Sequence, residues 1–334
     1  MPNGILVLRE AEIRQHLDPR AALAAIEAAF AAYSTGRADL PAVIQLNIPE
    51  RQAEVHIKAG HLYGGAAYAV KIVGGFPENP ARGLPAAGGM VLAFDAATGA
   101  PAAFLLDNGF ITDLRTGLAG AVAARHLSRA DAAVVAVLGA GAQARHQVRA
   151  LTLVRTLREV RIWGRRPERA RATAADLAGD PALGDGVTVA AVESPEEAVR
   201  GADIVVTVTP SHEPILRAAW LAPGMHVTAV GSDQSDKQEV EAAAVAAADL
   251  LIADSRPQCL RLGEIHHAVA ASLIGEADID AELGEVIAGT QPGRRDPRQI
   301  TFADLTGVGV QDVAAANVVI ERARAAGAGQ RIDA

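Results

Sequence analysis

The stretch VVAVLGAGAQARHQ, residues 134–147, joins an apolar run to a glycine-rich turn and then to a helical pattern. Gly139 permits a tight turn, Gly141 lets the backbone approach a pyrophosphate, and Ala144 is small enough for close packing of a helix on a strand. The N-terminus of that helix would face the anion. A G-x-G-x-x-A pattern between a strand and a helix therefore predicts a dinucleotide site. The alternative is a glycine turn without a ligand.

Apolar, largely β-branched runs alternate with alanine-rich helical segments from the start of this stretch onward. The runs lie at residues 132–138, 159–163, 187–191, 203–208, 226–230 and 249–253. Strands that are apolar on both faces and alternate with helices are typical of a doubly wound parallel sheet. We predict such a dinucleotide-binding domain over residues 119–312.

The N-terminal part has a different pattern. Residues 19–33 place apolar side chains at helical spacing behind a proline that suits a first turn. Residues 40–107 contain short β-rich runs separated by turns with Gly and Pro, and no helical segment of about ten residues lies between them, so an antiparallel sheet is expected. The last helix, within residues 309–327, is expected to return to this part. We therefore predict a discontinuous α+β domain, residues 1–118 and 313–334, with a mostly antiparallel sheet.

Composition limits the class of function. The chain has 334 residues, half of them apolar, which is enough for a sizeable core and favours two domains. The net charge of −8 argues against a nucleic-acid or anionic-membrane surface, so the expected partner is a small molecule. The single cysteine, Cys259, cannot form an internal disulfide. The start, MPNGILVLREAEI, lacks a signal-peptide pattern and no apolar run reaches about 18 residues, so we expect a cytoplasmic protein.

The identity of the cofactor is read after the second parallel strand, in RIWGRRPERA (161–170). Arg165 and Arg166 stand where an NAD site usually has a carboxylate for the ribose hydroxyls, and two guanidiniums suit a 2′-phosphate. NADP is therefore favoured and NAD remains possible, because Gly164 leaves room for ribose contacts and the arginines could simply solvate a helix start. Thr209 and Pro210 would border the adenosine side, or form an ordinary turn. The residues predicted to bind the cofactor are Gly139, Gly141, Ala142, Gln143, Arg165, Arg166, Thr209, Pro210, Gly231 and Val310.

Three polar residues are candidates for the chemistry. Lys71 has apolar neighbours on a strand, and an interior lysine is costly unless paired or deprotonated, so it is either functional or an edge residue. Arg115, at the junction of the predicted domains, could grip an α-carboxylate or form a structural salt bridge. Asp233, in TAVGSDQSDKQEV (228–240), follows the fifth parallel strand, and ligands in such sheets bind beyond the carboxyl ends of the strands. It could exchange a proton with a substrate nitrogen or form an Asx-turn.

Four histidine and lysine positions require a choice between function and surface. His56 and Lys58 lie two residues apart on a strand and so share a face, as a cationic pocket wall or as a solvent face. His266 and His267 are adjacent on a predicted helix, where their side chains should point about 100° apart. No cysteine or carboxylate cluster accompanies them, so no metal site is predicted.

Six ordered segments resemble the ornithine cyclodeaminase and mu-crystallin family over nearly the whole chain. LPAVIQLNIPE, GSDQSDKQEV and LGEIHHAV most resemble proteins of ectoine and hydroxyectoine utilisation. The resemblance implies a Rossmann domain, a substrate domain that dimerises through its sheet, and chemistry at the α-carbon of an amino acid; a homodimer is therefore expected. The six segments are Lys71 with GGFPENP, LDNGFITDLRTGLAGAVAARHL, LGAGAQARHQ, TVTPS, VGSDQSDKQEV and DLTGVGVQD.

The resemblance also implies roles for single residues. Lys71 and Arg115 would hold the substrate carboxylate, and Asp233 would handle protons at the reacting nitrogen or carbon. Gln45 stands where family members commonly carry an arginine that contacts the carboxylate, and Lys58 is a possible replacement for it. Cyclodeaminases place a glutamate on the strand that here carries His56 and Lys58, where a cation would repel the distal ammonium of ornithine.

We therefore expect an NAD(P)H-dependent imine reductase or amino-acid dehydrogenase that acts on a small α-imino acid. Because His56 and Lys58 add positive charge, a dicarboxylic substrate such as iminosuccinate, which gives aspartate, is favoured. One alternative is an ornithine cyclodeaminase-type cyclisation with bound NAD. Another is a nucleotide-dependent binding protein similar to mu-crystallin.

Overall fold

The computed structural model describes residues 4–333 and contains two compact units. The first unit runs up to Arg115 and resumes at Val308, and the second comprises Thr116–Gly307. The predicted boundary 118/119 falls in the same helix, Phe110–Leu127, as the observed boundary. The predicted boundary 312/313 falls in the helix Gly309–Ala325, whereas the observed one lies just before that helix. The assignment of residues 116–118 and 308–312 remains a proposal. The first three residues of MPNGILVLREAEI lie outside the described residues. Between residues 4 and 333, no helix has the length and apolarity needed to cross a membrane.

Both units combine β-strands with α-helices. The strands are β1 (Ile5–Arg9), β2 (Ala38–Asp39), β3 (Ile44–Ile48), β4 (Ala53–Leu62), β5 (Ala67–Gly75), β6 (Ala87–Asp95), β7 (Pro101–Leu106), β8 (Val134–Leu138), β9 (Glu159–Trp163), β10 (Thr188–Ala191), β11 (Ile204–Thr207), β12 (His226–Ala229), β13 (Leu250–Ala253), β14 (Ala281–Glu282), β15 (Thr301–Asp304) and β16 (Gln330–Ile332). The α-helices are α1 (Glu10–His16), α2 (Pro19–Ser34), α3 (Phe110–Leu127), α4 (Ala142–Leu151), α5 (Pro167–Ala178), α6 (Pro195–Val199), α7 (Ala242–Ala246), α8 (Arg256–Cys259), α9 (Ile265–Ala270), α10 (Leu283–Ile287) and α11 (Gly309–Ala325).

The first unit is built on one sheet with the strand order β16-β1-β7-β6-β5-β4-β2, and β3 also pairs with β4. Every pairing in it is antiparallel except that of β1 with β7. The predicted mostly antiparallel sheet is therefore confirmed. The parallel pair was not expected, because β1 is only five residues long and its partner lies about a hundred residues further along the chain.

One face of this sheet is covered by helices. The predicted helix over residues 19–33 is α2, which begins where the carboxylate of Asp18 accepts a hydrogen bond from Ala21 N at 2.8 Å. The C-terminal helix α11 packs on α2 and against β4 and β5. A Cβ at Gly309 would lie 2.5 Å from Ala59 O, so the close approach of α11 to β4 requires glycine there. The last helix therefore belongs to the first unit, which is discontinuous as the fold prediction requires.

The second unit is an eight-stranded sheet, parallel throughout, with the order β10-β9-β8-β11-β12-β15-β13-β14. This confirms the doubly wound parallel sheet that the alternating pattern predicts. The strand β15 was not anticipated and lies between β12 and β13. The strand order reverses between β8 and β11, and the loops after these two strands flank the position where such sheets bind ligands.

Candidate active site

Lys71 is buried on the helical side of the first sheet. Its side chain is 3% exposed, and it pairs across the strands with Lys58 on β4 and Val91 on β6. Its Nζ lies 3.1 Å from Oδ1 and 2.9 Å from Oδ2 of Asp312, in the first turn of α11. Lys71 is therefore an interior, ion-paired lysine and not an edge residue.

Arg115 shares the same carboxylate. Its Nε donates to Asp312 Oδ1 at 3.0 Å and its Nη1 donates to Gln311 Oε1 at 2.5 Å. Arg115 is 5% exposed and Gln311 and Asp312 are 0% and 2% exposed. Two buried cations thus converge on one buried carboxylate, which we call the Asp312 cluster (Lys71, Arg115, Gln311 and Asp312).

The electrostatics of the Asp312 cluster follow from its burial. Burial first, and then the charge of Arg115, lower the pKa of Lys71 to about 7, although Asp312 opposes the shift. Burial would raise the pKa of Asp312, but the charges of Arg115 and Lys71 hold it below its usual value. The cluster can therefore carry excess positive charge near neutral pH, which suits an anionic ligand, and Lys71 can exchange a proton there.

The other predicted substrate-binding residues lie on the same face of the sheet as Lys71. Lys58 is directly opposite Lys71, and Gln45 on β3 is opposite His56 on β4. Because side chains two residues apart on a strand share a face, Gln45, His56, Lys58 and Lys71 point to one side of the sheet. The structure thus brings these four predicted residues together on one surface.

Two neighbours, Glu54 and Asn47, contact residues of this surface. His56 Nε2 lies 3.4 Å from Oε2 of Glu54, which is two residues earlier on the same face. Gln45 is exposed, and its Nε2 donates to Asn47 Oδ1 at 3.0 Å. The negative charge of Glu54 was not taken into account in the prediction from the sequence, and it reduces the positive charge expected around His56.

Asp107 fixes the start of the helix that carries Arg115. Its Oδ2 accepts a hydrogen bond from Ile111 N at 2.8 Å, and the residue is 1% exposed. Burial raises the pKa of Asp107 to about 6. Since Arg115 lies one helical turn beyond Ile111, this cap sets the position from which the guanidinium reaches Asp312.

The glycine loop after β8 has the geometry of a phosphate site. Gly139 has φ = 142°, and a Cβ there would lie 2.7 Å from Val208 O, so the loops after β8 and β11 approach closely. Thr173 Oγ1 donates to Ala140 O at 3.1 Å and fixes the loop from α5. A Cβ on Gly141, by contrast, would meet no atom within 4 Å. Contacts within the protein do not explain this second glycine. A pyrophosphate that lies close to the backbone at Gly141 would explain it.

The helix behind this loop completes the fit. Gly141 is the N-cap of the ten-residue helix α4 and supplies no side-chain cap, and Ala142 and Gln143 form its first turn. N–H groups in a first turn have no partner within the helix, so they favour an anion. The residues at this loop therefore fit the pyrophosphate of a dinucleotide.

Other residues predicted to bind the cofactor follow β9 and β11, the two strands that flank β8. Arg165 and Arg166 follow β9 and are exposed. A Cβ on Gly164 would lie 2.9 Å from Ala140 Cβ, so the end of β9 lies against the glycine loop. Thr209 and Pro210 follow β11, beside the same loop.

Glu239 ties the loop after β11 to the loop after β12. Its carboxylate accepts hydrogen bonds from Thr207 Oγ1 at 2.7 Å, from Gly231 N at 2.8 Å and from Thr209 N. A Cβ on Gly231 would lie 2.3 Å from Thr209 O, so the two loops touch. Burial raises the pKa of Glu239 to about 7. Glu239 was not among the residues predicted from the sequence.

Two more buried carboxylates continue inward from Glu239. The Glu264 carboxylate accepts from the backbone N–H groups of Glu239 and Val240 at 2.8 and 3.1 Å. The Asp304 carboxylate accepts from those of Glu264 and Ile265 at 2.8 and 2.9 Å. Burial raises the pKa of Glu264 to about 9 and that of Asp304 to about 8. We call Asp304, Glu264 and Glu239 the carboxylate chain. The carboxylate of Asp304 accepts from the backbone N–H of Glu264, and the carboxylate of Glu264 accepts from the backbone N–H of Glu239.

Asp233 lies in the loop over residues 231–240, which we call the Asp233 loop. Its side chain is 46% exposed, and Lys237 Nζ donates to its Oδ1 at 2.7 Å. Ser232 Oγ donates to Lys237 O at 2.6 Å, which holds the loop closed on itself. Asp233 is thus open to solvent and oriented by a cation.

Two further predictions are that Val310 binds the cofactor and that the protein has no metal site. Val310 lies in the first turn of α11, in the first unit, with a fully buried side chain. In the part of the chain that the structure describes, no group of three or more His, Cys, Asp or Glu side chains could hold a metal ion.

Comparison with known proteins places the chain in a family. A putative dehydrogenase of Rhizobium meliloti (strain 1021) is 49% identical over 324 residues, which are 97% of each chain. The structure of Thermococcus litoralis Delta(1)-pyrroline-2-carboxylate reductase with NADH and L-proline superposes with a TM-score of 0.92 at 30% identity, covering 98% of this chain and 100% of that one. The iminosuccinate reductase of Paracoccus denitrificans with NAD+ gives 0.89 at 35% identity, covering 99% and 100%. The model of the ornithine cyclodeaminase/mu-crystallin family matches residues 5–327, and the chain belongs to that family, as its motifs predict.

Proposed function

We propose that the protein is an NAD(P)H-dependent reductase of small α-imino acids, which in reverse is an amino-acid dehydrogenase. The observation that carries the proposal is the Asp312 cluster, in which Lys71 and Arg115 share one carboxylate. Because its cations outnumber its anions, the cluster can bind the α-carboxylate of a substrate. Two similar structures are of reductases, one of iminosuccinate and one of pyrroline-2-carboxylate, which supports this reaction class.

The cofactor proposed is a nicotinamide dinucleotide. Gly139, Gly141 and the first turn of α4 would hold its pyrophosphate, and two similar structures contain NAD+ or NADH. When bound, the nicotinamide supplies or accepts the hydride at the substrate α-carbon. A preference for NADP rests on Arg165 and Arg166, which are exposed where a 2′-phosphate would be recognised.

The proposed roles of the side chains follow from their surroundings. Arg115, oriented by Gln311 and Asp312, binds the substrate carboxylate. Lys71 adds charge to that interaction and, with a pKa of about 7, can also exchange a proton. Asp233, exposed and held by Lys237, donates the proton to the substrate nitrogen during reduction and accepts it in the reverse direction.

The substrate proposed is a dicarboxylic imino acid such as iminosuccinate, with aspartate as the product. Lys58 lies opposite Lys71 on the same face of the sheet and could bind a second carboxylate. Because Glu54 lies beside His56, this preference depends mainly on Lys58. Glu54 favours the alternative of an ornithine cyclodeaminase-type reaction, since a carboxylate on that face could hold a distal ammonium.

A spectrophotometric assay tests the proposal. NADH or NADPH oxidation is followed at 340 nm with imino acids formed from ammonia and oxaloacetate, pyruvate or glyoxylate. We expect steady oxidation with the oxaloacetate mixture, and Lys58→Met should lower kcat/KM for it about tenfold more than for the pyruvate mixture. Ammonia release from ornithine without net oxidation would instead support the cyclodeaminase. Cofactor binding without turnover of any substrate would overturn the enzymatic proposal.

A homodimer is proposed through the face of the first sheet that lies opposite Lys71. Ile44 and Met90 belong to one cross-strand row with Ile57 and Ile72, and they are 61% and 37% exposed. Leu46, one row away on the same face, is 56% exposed. Large apolar side chains grouped in this way are typical of a subunit interface. Light scattering behind size-exclusion chromatography should give twice the chain mass of 34.4 kDa, and a monomer at all concentrations would contradict this.

A further inference from the structure

Three of the nine histidines contact the Asp233 loop through consecutive backbone carbonyls. A carbonyl oxygen can only accept a hydrogen bond, so each facing ring nitrogen must carry a proton for the contact to be a bond. The contacts are His266 Nε2 to Ser235 O at 3.0 Å, His212 Nδ1 to Asp236 O at 2.8 Å and His267 Nε2 to Lys237 O at 2.7 Å.

His266 differs from the other two because its second nitrogen also faces a carbonyl. Its Nδ1 lies 2.7 Å from Gly263 O, within the segment that leads into α9. A neutral imidazole has one N–H and an imidazolium has two. Both contacts of His266 are therefore hydrogen bonds only in the protonated ring, and loss of the proton sets a nitrogen lone pair against one of the two oxygens.

The groups around His266 are compatible with a charged ring. The ring of His267 is centred 3.8 Å from that of His266, and burial lowers the pKa of His267, which disfavours a positive charge on this neighbour. Glu264 is occupied by the backbone of Glu239 and Val240. The helix α7, which packs against α9, contains only alanine and valine. The titratable and charged groups around His266 are His267 and Glu264 on its own segment, Asp304, whose carboxylate accepts from Ile265 N, Asp233, Asp236 and Lys237 on the loop, and His212 beyond it.

We propose that His212, His266 and His267 are positioning residues for the Asp233 loop, and that His266 holds the loop as an imidazolium. When His266 loses its proton, the ring keeps only one of its two bonds, either to Ser235 O of the loop or to Gly263 O, and the link between the loop and the segment before α9 is weakened. The consequence for turnover rests on the proposed function, because that function assigns the proton transfer to Asp233. The order of the loop itself does not depend on it.

Hydrogen exchange of the cofactor-free protein between pH 5.5 and 8.5 tests the proposal, with rates corrected for the intrinsic pH dependence. Ring titration of His266 is followed by NMR of 13C-labelled histidine and assigned by the loss of its signal in His266→Gln. We expect protection of residues 231–240 to fall about tenfold, with the same pH midpoint as that titration. In His266→Gln the amide can still donate to Ser235 O and does not titrate, so the pH dependence should disappear while most of the protection remains.

Two further variants distinguish the pH-dependent hold of His266 on the loop from a general structural role. His266→Asn keeps a donor for Gly263 O but cannot reach Ser235 O, so the loop should be less protected at every pH. His267→Gln also replaces a ring by an amide donor and should retain the wild-type pH dependence. If His266→Gln retains that dependence, or if the wild-type loop is equally protected across the range, the proposal is wrong. If loop protection follows the titration of His266 but the protein turns over no imino acid, the role of His266 stands and the proposed function is rejected instead.

Discussion

Replacing Asp312 by asparagine tests whether this carboxylate is the counter-ion of Lys71 and Arg115. The substitution keeps the size of the side chain and one acceptor oxygen, and it removes the negative charge from the centre of the cluster. Both cations are at most 5% exposed, so water cannot readily replace the lost partner. We therefore expect Asp312→Asn to destabilise the first unit and to push the pKa of Lys71 further below its wild-type value of about 7.

The size of the effect follows from the geometry. At the 2.9 Å separation of Lys71 and Asp312, an effective dielectric constant of about 20 gives an attraction of roughly 6 kcal/mol, most of which offsets the cost of burial. Removing one partner of a buried ion pair typically costs about 3–5 kcal/mol. Lys71 can shed its proton near pH 7, which lessens the loss, so we expect about 3 kcal/mol at that pH. The loss should shrink from pH 6 to pH 9, because Lys71 becomes neutral in both proteins.

The distribution of aromatic residues provides separate probes for the two units. Both tryptophans, Trp163 and Trp220, lie in the second unit, and all three tyrosines, at positions 33, 63 and 68, lie in the first. In urea, Asp312→Asn should shift the unfolding transition reported by tyrosine much more than the one reported by tryptophan. The control is Glu321→Gln, on the exposed side of the same helix. A tyrosine transition within about 1 kcal/mol of wild type at pH 6 would refute the role of Asp312 as counter-ion.

Three other outcomes are expected. Glu239→Gln leaves an N–H of Thr209 or Gly231 without an acceptor, so it should cost about 2 kcal/mol in the tryptophan-reported transition and raise the KM for the dinucleotide; an unchanged transition would contradict this. The double substitution Arg165→Ser and Arg166→Ser should raise the KM for NADPH at least about tenfold and change the KM for NADH less than about twofold. Equal effects on the two KM values would exclude recognition of the 2′-phosphate by these arginines. In the second unit, the raised pKa values of Glu264 and Asp304 mean that the folded form retains protons that the unfolded chain releases, so stability should fall as the pH rises from about 5 to about 9, and a urea midpoint that is higher at pH 9 than at pH 6 would contradict that sign.

The residues around the dinucleotide loop could be predicted from the sequence because their signal is local. Gly139, Gly141 and Ala144 are close in the chain: Gly139 answers a requirement of the turn itself, and Gly141 answers the close approach of a pyrophosphate. Lys71 could also be singled out, because a lysine among apolar strand residues is unusual wherever the strand lies.

The partners of those residues could not be predicted, because they are set by the tertiary fold. Asp312 lies 241 positions from Lys71, and an acid in the first turn of a helix is equally consistent with a solvent-exposed cap. Glu239, Glu264 and Asp304 stand near strand and helix ends where acids are usually exposed, and nothing local shows that each caps a buried backbone. The side chains of His266 and His267 were expected to point about 100° apart, but their rings are 3.8 Å apart and both reach the Asp233 loop. A helix as short as α9 lets neighbouring side chains converge on a loop that passes its start.

Buried charge has opposite uses in the two units. The carboxylate chain of the second unit is occupied by backbone N–H donors, and an apolar residue in its place would leave those donors without acceptors, so its acids fix loop geometry. In the Asp312 cluster the cations exceed the anions, so the remaining charge is available to a ligand. The residues proposed to bear on substrate choice, at positions 45, 54, 56 and 58, lie on two strands of the first sheet and contribute nothing to the carboxylate chain. Substitutions at these positions are therefore expected to change the acid that is reduced without disturbing the loops proposed to hold the cofactor.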